Sequence, residues 1–273
     1  MATIQRILIT GATGGVGQLA VAYALAQGYA VRALTRNINR ARSLFDDRVE
    51  LIEADLRALS SLPAALADID AVICSSGTTA FPSDKWQVEL PAQPWEQVLV
   101  WGRVLLDQNY RQIQAKNSPA IADGQGVTNL INTAQNFSVQ RFILVSSLGV
   151  ERRQQIPFSI LNTYGVLDAK AKAEDVLHRS GLDYTVVRPG RLIDGPYTSY
   201  DLNTLIKAST DGKQAIIVGV GDTLLGQTSR KDVAAACVEC LQASTTSRKT
   251  FEIINQGTRP AVIPWSSLFA SLS

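Results

Sequence analysis

Short apolar segments alternate with longer segments of mixed polarity along most of the chain. Each apolar segment is nearly continuous, which is typical of a parallel strand that is covered on both faces. Six such segments predict strands: Arg6–Thr10, Ala30–Leu34, Val49–Glu53, Ala71–Ser75, Arg141–Ser146 and Tyr184–Arg188. Helical patterns separate them, and a helix over Arg230–Gln242 and a strand over Thr250–Ile254 complete the series. The alternation predicts an α/β fold, a doubly wound parallel sheet with helices on both faces.

One long segment, residues 78–122, interrupts this alternation where a short loop would suffice. Part of it, Gln97–Gln114, has the pattern of an amphipathic helix, and the segment carries Trp86, Trp95 and Trp101. Long insertions at the carboxyl edge of a parallel sheet usually serve as lids, substrate walls or partner surfaces. The alternative is a packed excursion that its aromatic side chains anchor to the domain. Residues 78–122 are called the insertion below.

A second interruption, residues 190–228, has several glycines and two short apolar stretches, Ala215–Val218 and Leu224–Leu225. We expect it to form a small C-terminal lobe on the substrate side. Neither an internal repeat nor a low-complexity linker divides the chain, so residues 1–273 are predicted to form a single domain.

A glycine-rich turn follows the first predicted strand and precedes a helical pattern over Gln18–Gln27. Its sequence is Gly11-Ala-Thr-Gly-Gly-Val-Gly17, a GxxGxxG spacing rather than the commoner GxGxxG. Glycines let the backbone approach a ligand, and the amino end of a helix adds partial positive charge. Because strand, turn and helix are all present, the segment predicts a site for a dinucleotide pyrophosphate. The predicted contacts are Gly11, Thr13, Gly14, Gly15 and Val16.

The end of the second predicted strand indicates which dinucleotide is preferred. Proteins that prefer NAD usually carry a carboxylate there, which binds the ribose 2′-hydroxyl group. This chain has Thr35-Arg36-Asn37 instead, with Arg40 and Arg42 close behind. A guanidinium binds a 2′-phosphate through two charge-assisted hydrogen bonds, so Arg36 favours NADP(H) over NAD(H). The alternative is that these arginines only form a solvated surface.

Composition argues against several other classes of protein. The chain has 273 residues and a formal net charge of +2, with its basic residues spread along the sequence. We therefore expect neither nucleic acid binding nor a polybasic membrane patch. No segment approaches the roughly 18 uninterrupted apolar residues that a membrane span needs. Because the chain enters its first strand at residue 4, we expect no signal or transit peptide in this sequence, and a precursor whose leader had been removed would look the same.

Cysteine and histidine usage is sparse. Cys74, Cys237 and Cys240 fit a reducing compartment, either the cytoplasm or a stroma-like space, without structural disulfides. Cys237 and Cys240 form a CxxC pair within a helical pattern, where we expect packing rather than redox or zinc chemistry. His178 lies at a charged helix end, so neither a metal site nor Ser-His-Asp catalysis is predicted.

Several segments match a known family in the same order along the chain: Ile7–Gly17, Val31–Arg36, Glu53–Leu56, Asp70–Gly77, Phe142–Ser147, Lys170–Glu174 and Tyr184–Gly190. Together they resemble the atypical short-chain dehydrogenase/reductase (SDR) superfamily, and within it the NAD(P)H-binding, NmrA-like branch. That branch includes flavin and biliverdin reductases and chloroplast NADP-binding proteins. The resemblance covers nearly the whole chain and implies a Rossmann-like fold for the single domain.

The resemblance also implies further contacts to the cofactor. Those near adenine, ribose and phosphates are Asp55, Leu56, Ser75, Ser76 and Gly77. Those near the nicotinamide end are Ser146, Lys170, Pro189 and Gly190. Most of these positions follow a predicted strand, where ligands of open α/β sheets bind.

The catalytic set of the family is matched only in part. Classical members use a Tyr-x-x-x-Lys pair, in which the lysine holds the nicotinamide ribose and lowers the pKa of the tyrosine. With the lysine at Lys170, the tyrosine position is Val166, which cannot transfer a proton. Tyr164 lies two residues away, about 200° around an ideal helix, so it does not simply substitute for that tyrosine, but a helix that starts after Tyr164 would still let it reach the site. The family serine corresponds to Ser146 or Ser147, either of which would polarise a carbonyl.

Two functions are compatible with these features. The first is an NADPH-dependent reductase of a small conjugated, carbonyl-like or quinone-like substrate that takes its proton from solvent. The second is a non-catalytic NADP(H)-binding redox sensor or assembly factor, whose protein partner would bind the insertion. The missing tyrosine favours the second function, and the cofactor elements fit both. For Lys170 the alternative to a cofactor contact is a solvated helix residue.

Overall fold

The computed structural model describes residues 3–192 and 213–272. Its strands are β1 (Arg6–Thr10), β2 (Ala30–Thr35), β3 (Val49–Glu53), β4 (Ala71–Cys74), β5 (Arg141–Val145), β6 (Tyr184–Pro189), β7 (Arg191–Leu192), β8 (Gln214–Gly219), β9 (Gln227–Thr228) and β10 (Lys249–Thr258). Its α-helices are α1 (Gly15–Ala26), α2 (Ile38–Arg42), α3 (Leu62–Leu66), α4 (Pro94–Leu106), α5 (Gln108–Gln114), α6 (Val127–Ala134), α7 (Phe158–Leu161), α8 (Val166–Arg179), α9 (Arg230–Glu239) and α10 (Trp265–Ala270). A π-helix, Ala120–Gly126, leads directly into α6.

The central sheet has eight strands in the order β3-β2-β1-β4-β5-β6-β10-β8. Neighbouring strands are parallel, except that β8 is antiparallel to β10. The strand order reverses between β1 and β4, and sheets of this kind bind ligands at the carboxyl ends of the strands beside such a reversal. The topology confirms the predicted doubly wound α/β fold and locates the edge at which a site is expected.

Alternation along β1 joins the two layers of the core. Ile7 and Ile9 pack in one cluster with α1 and α9, whereas Leu8 packs on the opposite face with α3, α6 and α8. All three side chains are fully buried. Burying a side chain of this size contributes about 1.5–3 kcal/mol, so β1 and the turn that follows it are held from both faces.

The bounds of two elements, one helix and one strand, differ from those predicted from the sequence. The single helix predicted over Gln97–Gln114 is wrong, because the chain forms α4 and α5 with Asp107 in an extended conformation between them. The Asp107 carboxylate accepts a hydrogen bond from the N–H of Tyr110 at 3.0 Å and so caps α5. The last strand is longer than predicted because β10 pairs with β6 from Lys249 to Ile253 and with β8 from Glu252 to Thr258.

Trp86 anchors the insertion to the domain. Its ring is fully buried and packs edge-on against Tyr164, with 5.8 Å between the ring centroids. The indole Nε1 donates a hydrogen bond to the carbonyl oxygen of Thr79 at 2.9 Å. On α4, by contrast, Trp95 is 64% exposed and Leu106 is 90% exposed. The insertion therefore combines a packed base with a helix whose apolar surface is open.

The region predicted as a C-terminal lobe is described only in part, since residues 193–212 lie outside the described residues. Before that gap, β7 pairs with β9 in a separate two-stranded sheet. After it, β8 joins the edge of the central sheet. A separate lobe on the substrate side thus stays a prediction, while one of its two apolar stretches belongs to the main sheet.

Candidate functional site

The turn after β1 brings backbone groups to the carboxyl edge of the sheet. Gly11 has a φ of +69°, and a Cβ there would lie 2.7 Å from the backbone of Ser75 and Ser76. Gly17 has an ordinary φ, but its Cβ would lie 2.1 Å from the carbonyl oxygen of Gly11. Gly11 is thus required both for its positive φ and for close packing, whereas Gly17 is required for close packing alone.

The amino end of α1 is suited to an anion. Gly14 is its N-cap and supplies no capping side chain, and the first turn of the helix has no acidic residue. The first N–H groups of a helix lack intrahelical acceptors, and the helix dipole favours a phosphate beside them. These features fit a dinucleotide pyrophosphate. Of the five residues predicted to contact it, Gly11, Thr13 and Gly14 lie in the turn, and Gly15 and Val16 are the first two residues of α1.

The segment after β4 forms the neighbouring wall of the site. The hydroxyl of Ser75 donates to the carbonyl oxygen of Thr10 at 2.8 Å, and that of Ser76 donates to the Thr10 Oγ1 at 2.9 Å. A Cβ on Gly77 would lie 2.8 Å from Oδ1 of Asp123. The structure therefore brings Ser75 and Ser76 against β1, at the point where the strand order reverses, and Gly77 against Asp123.

Charged side chains gather beyond β2 and β3. Arg36 donates to Oδ1 of Asn117 at 3.1 Å, and Arg57 donates to the Asp55 carboxylate from Nε at 2.9 Å and from Nη2 at 2.5 Å. Burial opposes ionisation of Asp55, but the hydrogen bonds and charge of Arg57 and the charge of Arg36 outweigh it and lower its pKa. Desolvation, followed by the positive charge of Arg57, lowers the pKa of Arg36.

Leu56, Arg40 and Arg42 lie near the predicted adenosine end, and neither arginine forms an ion pair within the described residues. Leu56 is buried, and its carbonyl oxygen accepts a hydrogen bond from Nδ2 of Asn129 at 2.9 Å. Arg40 and Arg42 are exposed on or near α2. Leu56 thus joins the adenosine side to α6, whereas Arg40 and Arg42 are surface residues.

Lys170 of α8 faces a buried carboxylate. Its Nζ lies 2.8 Å from Oδ1 of Asp123, which is only 1% exposed and belongs to the π-helix. The other oxygen of Asp123 accepts a hydrogen bond from the N–H of Thr78 at 3.0 Å. Ser76 and Ser146 line a small cavity together with this ion pair. Lys170 is therefore an inward-facing residue beside the predicted ribose site, not a solvated helix residue.

The two candidate serines have different partners. The hydroxyl of Ser146 donates to the carboxylate of Glu174, which also accepts two hydrogen bonds from Arg188, at 3.1 and 2.6 Å. The hydroxyl of Ser147 donates to the carbonyl oxygen of Leu148 at 3.0 Å. Ser146 is thus held by a buried ionic network, whereas the one hydrogen bond that Ser147 makes through its hydroxyl within the described residues is to the carbonyl oxygen of the next residue.

Tyr164 lies in an aromatic cluster at the base of the insertion. Its ring packs edge-on against Phe81 and Trp86, at centroid distances of 6.0 and 5.8 Å. The guanidinium of Arg111 lies over the ring at 4.8 Å from its centroid. The structure thus brings Tyr164 to the insertion, while Lys170 meets Asp123.

Pro189 and Gly190 end β6 at the same edge of the sheet. The N–H of Gly190 lies within hydrogen-bond distance of the Ile253 carbonyl oxygen and of the Thr228 Oγ1, at 3.0 and 2.8 Å. A Cβ on Gly190 would lie 2.5 Å from the carbonyl oxygen of Gly226. Both residues lie at the carboxyl end of a strand, as predicted, and Gly190 packs closely against β9 and β10.

The cysteines are free and fully buried. Burial raises the pKa of Cys237 and, against a hydrogen bond to Thr246 and the charge of Arg141, raises the pKa of Cys240 to about 12. Thiols of this kind are poor nucleophiles and metal ligands. In residues 3–192 and 213–272 no cluster of three His, Cys, Asp or Glu side chains is arranged to hold a metal ion.

Three residues at the site were not anticipated from the sequence. They are Arg57, Asp123 and Glu174, and each pairs with a predicted site residue or its neighbour. Asp123 had one sequence signal, as a lone acid between small and apolar residues just before a helical pattern. The partners of Arg57 and Glu174 depend on how distant segments pack, so sequence spacing offered no signal for them.

A glycine turn at a strand-order reversal, an uncapped helix end and cations beyond β2 define a dinucleotide-binding protein with the Rossmann-type fold of the SDR superfamily. A family model described as NAD(P)H-binding matches residues 11–244. The chain therefore belongs to this NAD(P)H-binding family, which confirms the resemblance to atypical SDR proteins.

Curated relatives match over most of this chain. An uncharacterised chloroplastic protein of Arabidopsis thaliana is 28% identical, with 98% of this chain and 82% of the relative covered. Protein TIC 62, chloroplastic, of Pisum sativum is 28% identical and covers 93% of this chain. Photosystem II assembly factor Ycf39 of Trieres chinensis is 30% identical and covers 92% of it. The chain spans only 43% of TIC 62 and 64% of Ycf39.

Solved structures show the same fold. The oxidoreductase ylbE of Lactococcus lactis has a TM-score of 0.67 at 21% identity, over 98% of this chain and 96% of that one. ChuY of Escherichia coli, an anaerobilin reductase, has a TM-score of 0.65 at 22% identity, over 94% of this chain and 100% of its own. A short-chain dehydrogenase/reductase of Veillonella parvula in complex with NADP has a TM-score of 0.61 at 17% identity, over 95% of this chain and 100% of its own.

No helix of the described residues has the length and apolar character needed to cross a membrane.

Proposed function

We propose that this chain is an NADPH-dependent reductase of a small conjugated, carbonyl-like or quinone-like substrate. The observation that carries the proposal is Arg36 beyond β2, at the carboxyl edge that also holds the uncapped end of α1. NAD-preferring proteins carry a carboxylate at that position, which repels a 2′-phosphate, whereas a guanidinium attracts it. The preference for NADP(H) over NAD(H) is part of this proposal.

The chain's own residues would bind and orient the cofactor, and bound nicotinamide would supply the hydride. Lys170 would hold the nicotinamide ribose, with Asp123 fixing the position of its Nζ. Ser147 would donate a hydrogen bond to a substrate oxygen, since Ser146 is committed to Glu174. Other cofactor contacts in the proposal are Gly11, Thr13, Gly14, Gly15, Val16, Arg36, Asp55, Leu56, Ser75, Ser76, Gly77, Ser146, Pro189 and Gly190.

The substrate class follows from a missing proton donor. Val166 occupies the position of the family tyrosine and is 4% exposed, and Tyr164 packs against the insertion. The site would therefore orient the reactants and exclude water rather than supply an acid. Quinones and conjugated enones suit such a site, because they accept hydride and then take a proton from solvent.

Turnover with and without Lys170 tests the reductase. We expect the purified protein to consume NADPH with some members of a panel of quinones, enones and flavins. We expect Lys170→Ala to lower the rate of NADPH consumption by about tenfold or more, because the ribose is no longer held. Lys172→Ala is the matched control, since Lys172 is exposed on the same helix. Equal activity of Lys170→Ala and wild type would remove Lys170 from the site.

Cofactor selectivity is tested separately by reversing a charge. Arg36→Glu should lower the preference for NADPH over NADH by orders of magnitude, as measured by calorimetry. Arg40→Glu changes the net charge by the same amount at an exposed position of α2, and it should leave the ratio of NADPH to NADH affinity unchanged. An unchanged ratio in Arg36→Glu contradicts the proposed 2′-phosphate contact.

A non-catalytic NADP(H)-binding redox sensor or assembly factor is the second candidate. The exposed apolar surface of α4, formed by Trp95, Val98, Leu99 and Leu106, favours it, as does the name of the Ycf39 relative. This candidate predicts tight NADPH binding without turnover and a protein partner that Leu99→Glu releases. Gln112→Glu on α5 is the control, and turnover that survives Leu99→Glu favours the reductase.

The proposed compartment is reducing, either the cytoplasm or a stroma-like space. The three buried free thiols and the chloroplastic relatives support it. The small-molecule substrate is part of the first proposal, and a protein partner on the insertion is part of the second.

A further inference from the structure

Two arginines from different strands meet at one side-chain amide of the insertion. Arg36 follows β2 and Arg57 lies beyond β3, and Nη1 of each lies near Oε1 of Gln87, at 3.4 and 3.2 Å. Arg57 also donates to the carbonyl oxygen of Lys116 at 2.7 Å. Two guanidiniums that share an acceptor repel each other, and the charge of Arg57 accordingly contributes to lowering the pKa of Arg36.

The charges within this cluster do not balance. Asp55 neutralises Arg57 through hydrogen bonds to Nε and Nη2. Arg36 contacts the neutral amides of Gln87 and Asn117, and within the described residues no carboxylate forms an ion pair with it. An amide oxygen orients a guanidinium without removing its charge. The cluster therefore keeps a net positive charge beside the end of β2.

Of the two amides that orient these arginines, that of Asn117 is itself held firmly, whereas Gln87 is exposed. Asn117 is 8% exposed, its N–H donates to the carbonyl oxygen of Trp86 at 2.8 Å, and its Nδ2 donates to that of Lys85 at 2.8 Å. These bonds leave Oδ1 of Asn117 to Arg36. Because Trp86 is the buried anchor of the insertion, the position of Arg36 depends on the fold of the insertion.

We propose that Arg57 is a second specificity-determining residue, which binds the 2′-phosphate of NADP(H) together with Arg36, and that Gln87 and Asn117 hold the guanidiniums in place for it. The ligand class is a phosphomonoester dianion on an adenosine ribose. Two guanidiniums offer such a dianion more hydrogen-bond donors than one, in the planar fork geometry that phosphates accept. The inference rests on the proposed function, and it makes the insertion part of the cofactor site.

Adenosine 2′,5′-bisphosphate and adenosine 5′-diphosphate are the probes, because they differ in where the second phosphate lies and need no turnover. Their affinities are measured by calorimetry for wild type, Arg57→Gln and Gln87→Glu. Wild type should prefer the 2′,5′ compound. Each variant should weaken its binding by about 10-fold or more and leave the 5′ compound within a factor of two or three, because a charge-assisted hydrogen bond is lost or a carboxylate is added.

Matched controls separate these effects from net charge and from misfolding. Gln112→Glu adds the same charge on exposed α5, and Arg48→Gln removes an exposed arginine that pairs with Asp46. Neither should change the ratio of the two affinities. Gln87 is exposed, so Gln87→Glu keeps the proposal testable if Arg57→Gln fails to fold.

The possible results have distinct meanings. A wild type that prefers the 2′,5′ compound, with unchanged ratios in both Arg57→Gln and Gln87→Glu, overturns this inference and leaves the proposed NADP(H) preference intact. A wild type with no preference overturns the proposed cofactor preference itself. Loss of the preference in the two variants and not in the controls supports the two-arginine subsite.

Discussion

At the residue scale, close approach decides whether the turn after β1 can form. We expect Gly17→Ala to lower the free energy of unfolding by about 1–3 kcal/mol and to weaken NADPH binding, because the new Cβ would lie 2.1 Å from the Gly11 carbonyl oxygen. Gly102→Ala on α4 is the control, since its Cβ meets no atom within 4 Å. Urea denaturation measures both, and equal stability of Gly17→Ala and wild type would contradict the packing role.

The Asp55–Arg57 pair should make stability depend on pH. The pKa of Asp55 is lowered in the folded chain, so its contribution is present above the ordinary value of 3.8 and is lost as the pH falls through the folded value. We expect Arg57→Gln to cost about 0.2–1 kcal/mol at neutral pH and progressively less below 3.8. Urea denaturation across this range measures the difference. A cost that does not change with pH would contradict the role of Arg57 in setting this pKa.

The Asp123–Lys170 pair calls for a double-mutant cycle. Asp123→Asn and Lys170→Gln should each lower the free energy of unfolding by about 1–3 kcal/mol, because each leaves a poorly solvated charge without its partner. The double variant should cost less than the sum of the two. Strict additivity, measured by chemical denaturation at neutral pH, would show that the two groups do not interact.

At the element scale, the insertion behaves as an anchored base with an exposed helix. Trp86→Ala should cost about 3–5 kcal/mol, since it empties a fully buried site between Tyr164 and the carbonyl of Thr79. We also expect proteases to cleave the insertion faster in this variant. Trp95→Ala removes a tryptophan that is 64% exposed and should change neither stability nor cleavage. If the proteases cleaved Trp86→Ala only outside residues 78–122, the result would contradict the role of Trp86 as an anchor of the insertion.

The elements also show where apolar periodicity stops being informative. Each predicted strand of the central sheet is present. The buried inner strands β4 and β5 show the nearly continuous apolar run that burial on two faces imposes, whereas the edge strand β3 is only partly buried. The pattern over Gln97–Gln114 continues smoothly through Asp107, yet the helix breaks there. An aspartate is favoured at an N-cap and tolerated at an exposed helical position, so the apolar periodicity by itself could not distinguish the two.

At the scale of the whole molecule, cofactor binding should stabilise the fold. NADPH at about 100 times its dissociation constant adds about 2.7 kcal/mol to the free energy of unfolding. NADH at the same concentration should raise the melting temperature less, because it makes no use of Arg36. Thermal unfolding of wild type and Arg36→Glu measures this difference. Equal shifts with both cofactors in wild type would contradict the proposed preference.

Much of the candidate cofactor site could be predicted from local sequence. The turn at Gly11–Gly17, the helix after it and the arginine at the end of β2 all lie within one βαβ unit. Their chemistry depends on near neighbours in the chain, and a parallel sheet brings strand ends to one edge whatever the side chains are. The family resemblance added Ser75–Gly77, Lys170 and Gly190 to the same edge.

The partners of those residues were decided by the tertiary structure alone. Lys170 meets Asp123, Arg36 and Arg57 share Gln87, and Tyr164 packs beside Trp86. Each contact joins segments that are far apart in the chain, at distances fixed by how helices and the insertion pack. Apolar periodicity records which face of an element is buried, but it carries no information about which polar atoms will lie opposite one another once that face is covered.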